Sequence, residues 1–307
     1  MELALITMEK IIEMFLIMII GAAAFKTGII DAPANKRLSG LLLKVISPAM
    51  LFMAYQIDFE PERLRGLGIT LGLSALSFVW TILLVNMLIR PGKSRNVEIE
   101  RMASIYSNCG FIGIPLINGI MGREGVFYLT AYITAFNIAV WSHGLALMCG
   151  TSSLKTTLKN FIQPATIAIG LGVLCFLLQI RLPSVAANPL NMVGDMNTPV
   201  AMLVAGCNLA ESNLPEAVKR SRSYWISFIK LLLIPFVSIL LLKLIPAEQI
   251  YTMTVLIAIA CPTGAMGTMF ALQYNKDSNY ASELFTISTV LSLVTIPFVI
   301  LLAGLII

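Results

Sequence analysis

Charge is scarce in this 307-residue chain. Asp, Glu, Lys and Arg make up 12% of it, about half the share of an ordinary soluble domain, against 58% hydrophobic residues and a mean hydropathy of +0.87. That balance excludes a water-soluble globule and implies an integral membrane protein. Histidine occurs once, at His143, and the five cysteines (Cys109, Cys149, Cys175, Cys207, Cys261) are scattered singly, nearly all in apolar segments. With no CxxC pair and no metal-ligand spacing, neither a disulfide framework nor a zinc site is expected, and the thiols read as small apolar packing groups. Catalytic signatures are missing too. There is no HExxH, Gly194-Asp195 lacks a GxGD context, and in the GKS of residues 92–94 the P-loop's first glycine would fall at Met87 with no strand before it. The chain is therefore not expected to be an enzyme or to hold a cofactor or metal. Its pI near 9.0 reads as membrane topology rather than as a nucleic-acid partner.

What is present is a series of apolar runs. A helix crosses the hydrocarbon core in about 20 mainly apolar residues, and ten stretches qualify: 9–30, 36–57, 66–89, 101–121, 125–149, 160–180, 189–209, 224–245, 250–274 and 280–306. The leading segment carries Glu2, Glu9 and Glu13 against Lys10, the wrong charge for a secretory leader, so it is expected to be the first retained span. With ten spans the termini share a side. Fourteen Lys and Arg fall in the loops opposite the termini and six on the terminal side, which predicts both termini outside the cytoplasm; Lys230 lies inside the eighth span.

A shift of 151 residues aligns Gly21 with Gly172, Ser47-Pro48 with Thr198-Pro199, and Gly113 with Gly264. This predicts one membrane domain, 1–307, made of two halves, 1–152 and 153–307, with five spans each. Five is odd, so the halves have opposite orientation: an inverted-topology repeat. Spans four and nine hold the matching stretches NCGFIGIPLINGIMG (108–122) and IACPTGAMG (259–267). Pro115 and Pro262 lack an N–H and deprive the carbonyls of Phe111 and Ala258 of helical partners. In hydrocarbon such a break survives only where protein, water or a ligand supplies partners. Gly110, Gly113 and Gly264 permit unwound backbone and close approach. The breaks are expected to meet near the midplane, where freed carbonyls hold cations and half-helix N-termini attract an anion. Gly119 and Gly122 are expected to serve close helix packing instead.

Asn108 and Asn137 place amides at depth, where each needs a partner, either a solute or a neighbouring helix. His143, near the end of span five, is open to two readings, a proton relay or a packed interfacial residue. Asp195 and Lys44 fall near opposite membrane faces and are not expected to pair. Glu13, Asp58, Asp195 and Glu283 all lie near span ends, so no carboxylate reaches the breaks and proton or sodium antiport is weakened. No arginine lies within a span, which leaves dipoles and amides to balance an anion.

The run from Asn108 to Gly122, followed by EGVFYLTAYITAFNIAVW to Trp141, resembles the auxin efflux carrier family, which includes plant auxin carriers and bacterial permeases for malate or malonate. ISPAMLF (46–52), CPTGAMG (261–267) and STVLSLVTIPFVILL (288–302) extend the resemblance along the chain. It implies an all-α ten-helix fold with broken, crossing helices four and nine, a scaffold of spans one, two, six and seven, and a mobile transport part of spans three, four, five, eight, nine and ten. It also implies homodimers, elevator-like motion, and substrate-site roles for Asn108, Pro115, Asn137 and Pro262. Plant carriers commonly have Gln where Asn137 stands and often a long central loop, whereas TSSLKTTLKN (151–160) is short; auxin itself is not the expected substrate. The expected function is secondary transport of a small organic anion, a carboxylate or dicarboxylate, across the cytoplasmic membrane. The expected contacts are Asn108, Gly110, Gly113, Pro115, Asn137, Pro262, Thr263 and Gly264. The alternatives are a sodium-coupled symporter of the bile-acid type and a channel.

Overall fold

The computed structural model describes residues 2–92, 96–150, 162–212 and 214–307. Most of the GKS triplet and the whole TSSLKTTLKN segment lie outside the described residues. Helices dominate: α1 (Glu2–Lys26), α2 (32–53), α3 (Pro61–Leu88), α4 (Val97–Ile105), α5 (Cys109–Cys149), α6 (Pro164–Leu177), α7 (Ser184–Asp195), α8 (Asn197–Glu211), α9 (Leu214–Lys219), α10 (Ser221–Lys243), α11 (Gln249–Ala260), α12 (Met266–Gln273) and α13 (Ser278–Ile306). No strand forms among the described residues. Four of these helices, α3, α5, α10 and α13, are long and apolar enough to cross a membrane.

Helix α5 is 41 residues long, about twice what the hydrocarbon core requires. It is not one rod. Gly122 sits at φ 64, ψ −156, a conformation closed to side chains with a Cβ. A Cβ on Gly125 would lie 2.8 Å from Cγ2 of Ile117. Eight residues of straight helix would separate that pair by about 12 Å, so the chain folds back at Gly122. The packing role expected for Gly122 is thereby corrected, because a Cβ there would meet nothing within 4 Å and its work is conformational. Gly119 does pack closely, against the Lys10 stem at 3.3 Å.

Four π-helical turns interrupt the helices among the described residues: Leu42–Ile46, Cys109–Gly113, Val140–Gly144 and Ile229–Leu233. Three have the same cause. Pro48, Pro115 and Pro235 each stand two residues past the turn. A proline withdraws the N–H that the carbonyl four residues back requires and crowds that carbonyl with its ring. One extra residue shifts the pairing to five residues back, as in Ser47 N–H to Leu42 C=O, Ile114 to Cys109 and Ile234 to Ile229. Pro199 has a different effect: α7 ends at Asp195 and α8 restarts at Asn197, so the stretch 189–209, expected as one span, is two helices with an earlier start at Ser184.

The surface is apolar and the interior carries the small polar groups. Leu16, Ile20, Leu83, Val294 and Leu305 are exposed, a coat that suits lipid and not water. Thr70, Ser74 and Ser77 are buried within α3, and their hydroxyls bond carbonyls three or four residues back, Thr70 to Gly66 at 2.8 Å and Ser74 to Thr70 at 2.6 Å. The most extensive helix pair is α1 with α8. There Gly21 faces the Leu203 carbonyl, Gly206 faces the Met18 carbonyl, and Cys207 Sγ donates to the Gly21 carbonyl at 3.3 Å. Small residues let the backbones touch. Asn35 Nδ2 to Asn208 Oδ1 (2.7 Å) and Asn197 Nδ2 to Ser47 Oγ (2.8 Å) join α2 to α8, and Tyr55, just past α2, covers Gly172 of α6.

Because a Cβ at position 206 would overlap the Met18 carbonyl, which is backbone and cannot swing aside, Gly206→Val is expected to destabilise the protein by at least the roughly 1–3 kcal/mol of an overpacked core. Gly68→Ala, with nothing within 4 Å of its new methyl, serves as the control. Melting temperatures in detergent should fall for the first and hold for the second.

Candidate functional site

Two interrupted helices meet inside the molecule. α4 ends at Ile105 and α5 begins at Cys109; α11 ends at Ala260 and α12 begins at Met266. The residues between pair as an isolated antiparallel bridge, Ser107 with Thr263. Asn108 N–H donates to the Pro262 carbonyl at 2.7 Å and Gly264 N–H to the Tyr106 carbonyl at 2.9 Å. Thr263 ties in two more elements: its N–H donates to Ser288 Oγ on α13 (3.1 Å) and its hydroxyl to the Ala103 carbonyl on α4 (3.0 Å). Each break thus supplies much of what the other lost, the condition a buried interruption must meet.

The geometry refines the expected site in three respects. First, the gap in span four lies at 106–108 and not at Pro115, which stands in the first α-helical turn of α5 behind its π turn. What ends α4 is the pairing of Tyr106 and Asn108 with the other break. Second, Gly110 and Gly113 lie within the π turn Cys109–Gly113 rather than in unwound chain. A Cβ on Gly113 would press on Cys109 Cβ and Cys261 Sγ, both at 3.4 Å, whereas one on Gly110 would meet nothing within 4 Å. Third, the N–H groups of Asn108, Thr263 and Gly264 are occupied by protein acceptors, so they do not face a solute.

One side-chain donor stays free. Asn108 is 5% exposed and caps α5: its Oδ1 accepts from Phe111 N–H at 3.4 Å, and its carbonyl accepts from Ile112 and Gly113. Its Nδ2 has no hydrogen-bond partner among the described residues, whereas the first N–H groups of α5, at Cys109 and Gly110, turn to the Cys109 thiol. One free amide donor, on Asn108, and the positive end of a helix therefore lie next to Gly110, where a Cβ would meet nothing within 4 Å.

The paired breaks bring Asn108, Gly113, Pro262, Thr263 and Gly264 together. Asn137 is buried farther along α5 and donates from Nδ2 to Thr166 Oγ1 of α6 at 3.4 Å, an interhelical bond that occupies one of its two donors. His143 is half-buried, with Nδ1 2.9 Å from the Tyr106 hydroxyl, which itself donates to the Ala139 carbonyl at 2.9 Å. Through Tyr106 the histidine reaches the break indirectly. Lys44 and Asp195 are exposed and form no ion pair with each other. Among the described residues no cluster of His, Cys, Asp or Glu could hold a metal, and no disulfide joins two cysteines.

Two features escaped the sequence reading. Lys230, 1% exposed on α10, donates to the Ile259 carbonyl at 3.3 Å, beside the second break. Glu100, fully buried on α4, takes both Nε and Nη2 of Arg222 (3.0 and 2.7 Å) and the Tyr280 hydroxyl (3.1 Å), so one carboxylate clamps α4, α10 and α13. The signal for Lys230 was a lone lysine in an apolar run. Glu100 gave none, since it stands among charged loop residues.

A multi-pass helical membrane protein whose two broken helices pair and leave helix-end dipoles beside an open space belongs to the class built for solute transport. The comparisons agree. The family described as "Membrane transport protein" matches residues 6–155 and 151–300. An uncharacterised transporter of Methanothermobacter thermautotrophicus is 22% identical over 299 residues, covering 94% of this chain and 96% of that protein. The chain belongs to the membrane transport protein family, the auxin efflux carrier-like group that its central motif resembles.

Arg222→Ala would leave Glu100 buried without its ionic partner, and breaking such a pair costs about 3–5 kcal/mol; the low end is expected because Arg222 is a third exposed. Pairing it with Glu100→Gln should recover much of the loss. Denaturant melts of the single and double variants, compared as a cycle, check this.

Proposed function

We propose that the protein is a secondary transporter of the cytoplasmic membrane that moves a small organic anion, a carboxylate or dicarboxylate, by elevator-type alternating access. The observation that carries this reading is the pairing of the two breaks, which leaves Asn108 Nδ2 without a protein partner at the N-terminus of α5, next to Gly110, where a Cβ would meet nothing within 4 Å. A carboxylate fits hydrogen-bond donors backed by a positive dipole end. Asn108 would hold the substrate directly. Gly110 would let it approach the backbone, while Gly113, Pro115, Pro262, Thr263 and Gly264 would keep the half-helices in register. Asn137 would contribute its second amide hydrogen, and His143 would influence the site only through Tyr106.

The finer architecture belongs to the same proposal. Ten spans result if α4 with the first limb of α5 counts as span four, the rest of α5 as span five, α7 with α8 as span seven, and α11 with α12 as span nine. The 5+5 inverted repeat is supported by a reciprocal pair of contacts: Gly21 of span one packs on span seven at Leu203, and its counterpart Gly172 of span six packs on Tyr55 at the end of span two. The contacts joining α1, α2, α6 and α8 support a scaffold of spans one, two, six and seven. The pairing of α4, α5 and α11 with α10 and α13 supports a separate transport part. Homodimers through the scaffold, and termini outside the cytoplasm, complete the reading.

Purified protein in proteoliposomes should show saturable, counterflow-competent uptake of mono- or dicarboxylates, where a channel would show neither property. Asn108→Ala should cut that flux at least tenfold, about 1.4 kcal/mol or more in the transition state, while melting within a few degrees of wild type. Unchanged flux would remove Asn108 from the site. A phosphatase fused to the C-terminus should be active if that end lies outside.

A further inference from the structure

At the C-terminal end of α11 the last carbonyls lose their helical donors one after another. The donor for Ala258 would be the N–H of residue 262, which is proline. The donor for Ile259 would be Thr263 N–H, which turns to Ser288 Oγ, and that for Ala260 would be Gly264 N–H, which turns to the Tyr106 carbonyl. Three consecutive carbonyls at the negative end of a helix dipole make a cradle for a cation. One reaches it. Lys230 extends from the π turn Ile229–Leu233 of α10, its side chain 1% exposed, and Nζ donates to the Ile259 carbonyl at 3.3 Å. An ammonium has three donors, and this is its one hydrogen bond among the described residues. No carboxylate there lies within ion-pair distance of it. The titratable groups that act on it are the thiols of Cys261 and Cys109, which flank the paired breaks. A buried ammonium with no acidic partner is costly, and the exposed carbonyl end is what offsets it.

The geometry points to Lys230 as a tethered cation: its ammonium occupies the position at the broken end of α11 that a free monovalent cation would otherwise fill, so that anion carriage needs no inorganic cation. This rests on reading the crossing as the transport site, and it separates the proposed carrier from a sodium-coupled one. When the transport part moves, the charge travels with it, because Lys230 and Ile259 sit on helices assigned to that part.

The test removes the tether and supplies the charge in solution. Lys230→Ala deletes three methylenes and the ammonium, the atoms of n-propylammonium. Its melting temperature without substrate should rise with n-propylammonium chloride and not with 1-propanol, and wild type should respond to neither. Carboxylate flux by Lys230→Ala should fall at least tenfold and recover several-fold with n-propylammonium. Wild-type flux should be equal in sodium and choline media. The proposal is overturned if Lys230→Met, similar in length but uncharged, matches wild type in melting and flux, or if wild type loses carriage in choline. Should Lys230→Ala fail to fold, the Lys230→Met and choline arms decide. If wild type carries no carboxylate, the melting arms still judge the tethered cation, and the failure falls on the assigned function.

Discussion

The structure depends on one constraint: inside hydrocarbon every backbone N–H and C=O must find a partner in the protein. Continuous helices meet it automatically; the two interrupted ones cannot. They meet it by exchanging bonds, Asn108 to Pro262 and Gly264 to Tyr106, so that neither gap is tenable without the other. Thr263, bonded at once to α4 and α13, extends the dependence outward, and the clamp of Glu100 on Arg222 and Tyr280 ties those two helices to α10. The polar content of the interior is therefore concentrated where continuity fails.

That concentration explains the division of labour among side chains. Donors already consumed by the bridge hold the fold, and the one left over is the Asn108 side-chain amide. The same count at the other break leaves acceptors over, at Ala258, Ile259 and Ala260, and a lysine answers them. The paired breaks thus set a helix N-terminus, with the Asn108 amide, against a helix C-terminus, with its abandoned carbonyls.

Much of this was legible in the sequence, and for stateable reasons. Apolar length locates helices because the bilayer imposes it, and the proline and glycine stretches at 108–122 and 259–267 flag the two interruptions because few other residues tolerate them. The exact gap was not legible. Pro115 drew attention to itself, yet the chain unwinds at Tyr106 to Asn108, where the cause is a distant partner segment, Asn108 and Pro262 being 154 residues apart, Ser107 and Thr263 156, and Tyr106 and Gly264 158. Gly122 was read as packing although Arg123 and Glu124 mark a turn beside it; its positive φ shows that its role is conformational. Lys230 was visible as a lysine in an apolar run, but its meaning lies in the Ile259 carbonyl, and which carbonyls are abandoned depends on how residues 261–265 fold.

The π turns carry a consequence for how these helices present their faces. Each inserts one residue into a ladder that otherwise repeats every 3.6, which advances everything downstream by about 100° around the axis. Residues 234–243 of α10 and 145–149 of α5 consequently point where an unbroken heptad-like count would not put them. Deleting a single residue from such a turn would rotate half a helix, exchanging the side that meets lipid for the side that meets protein.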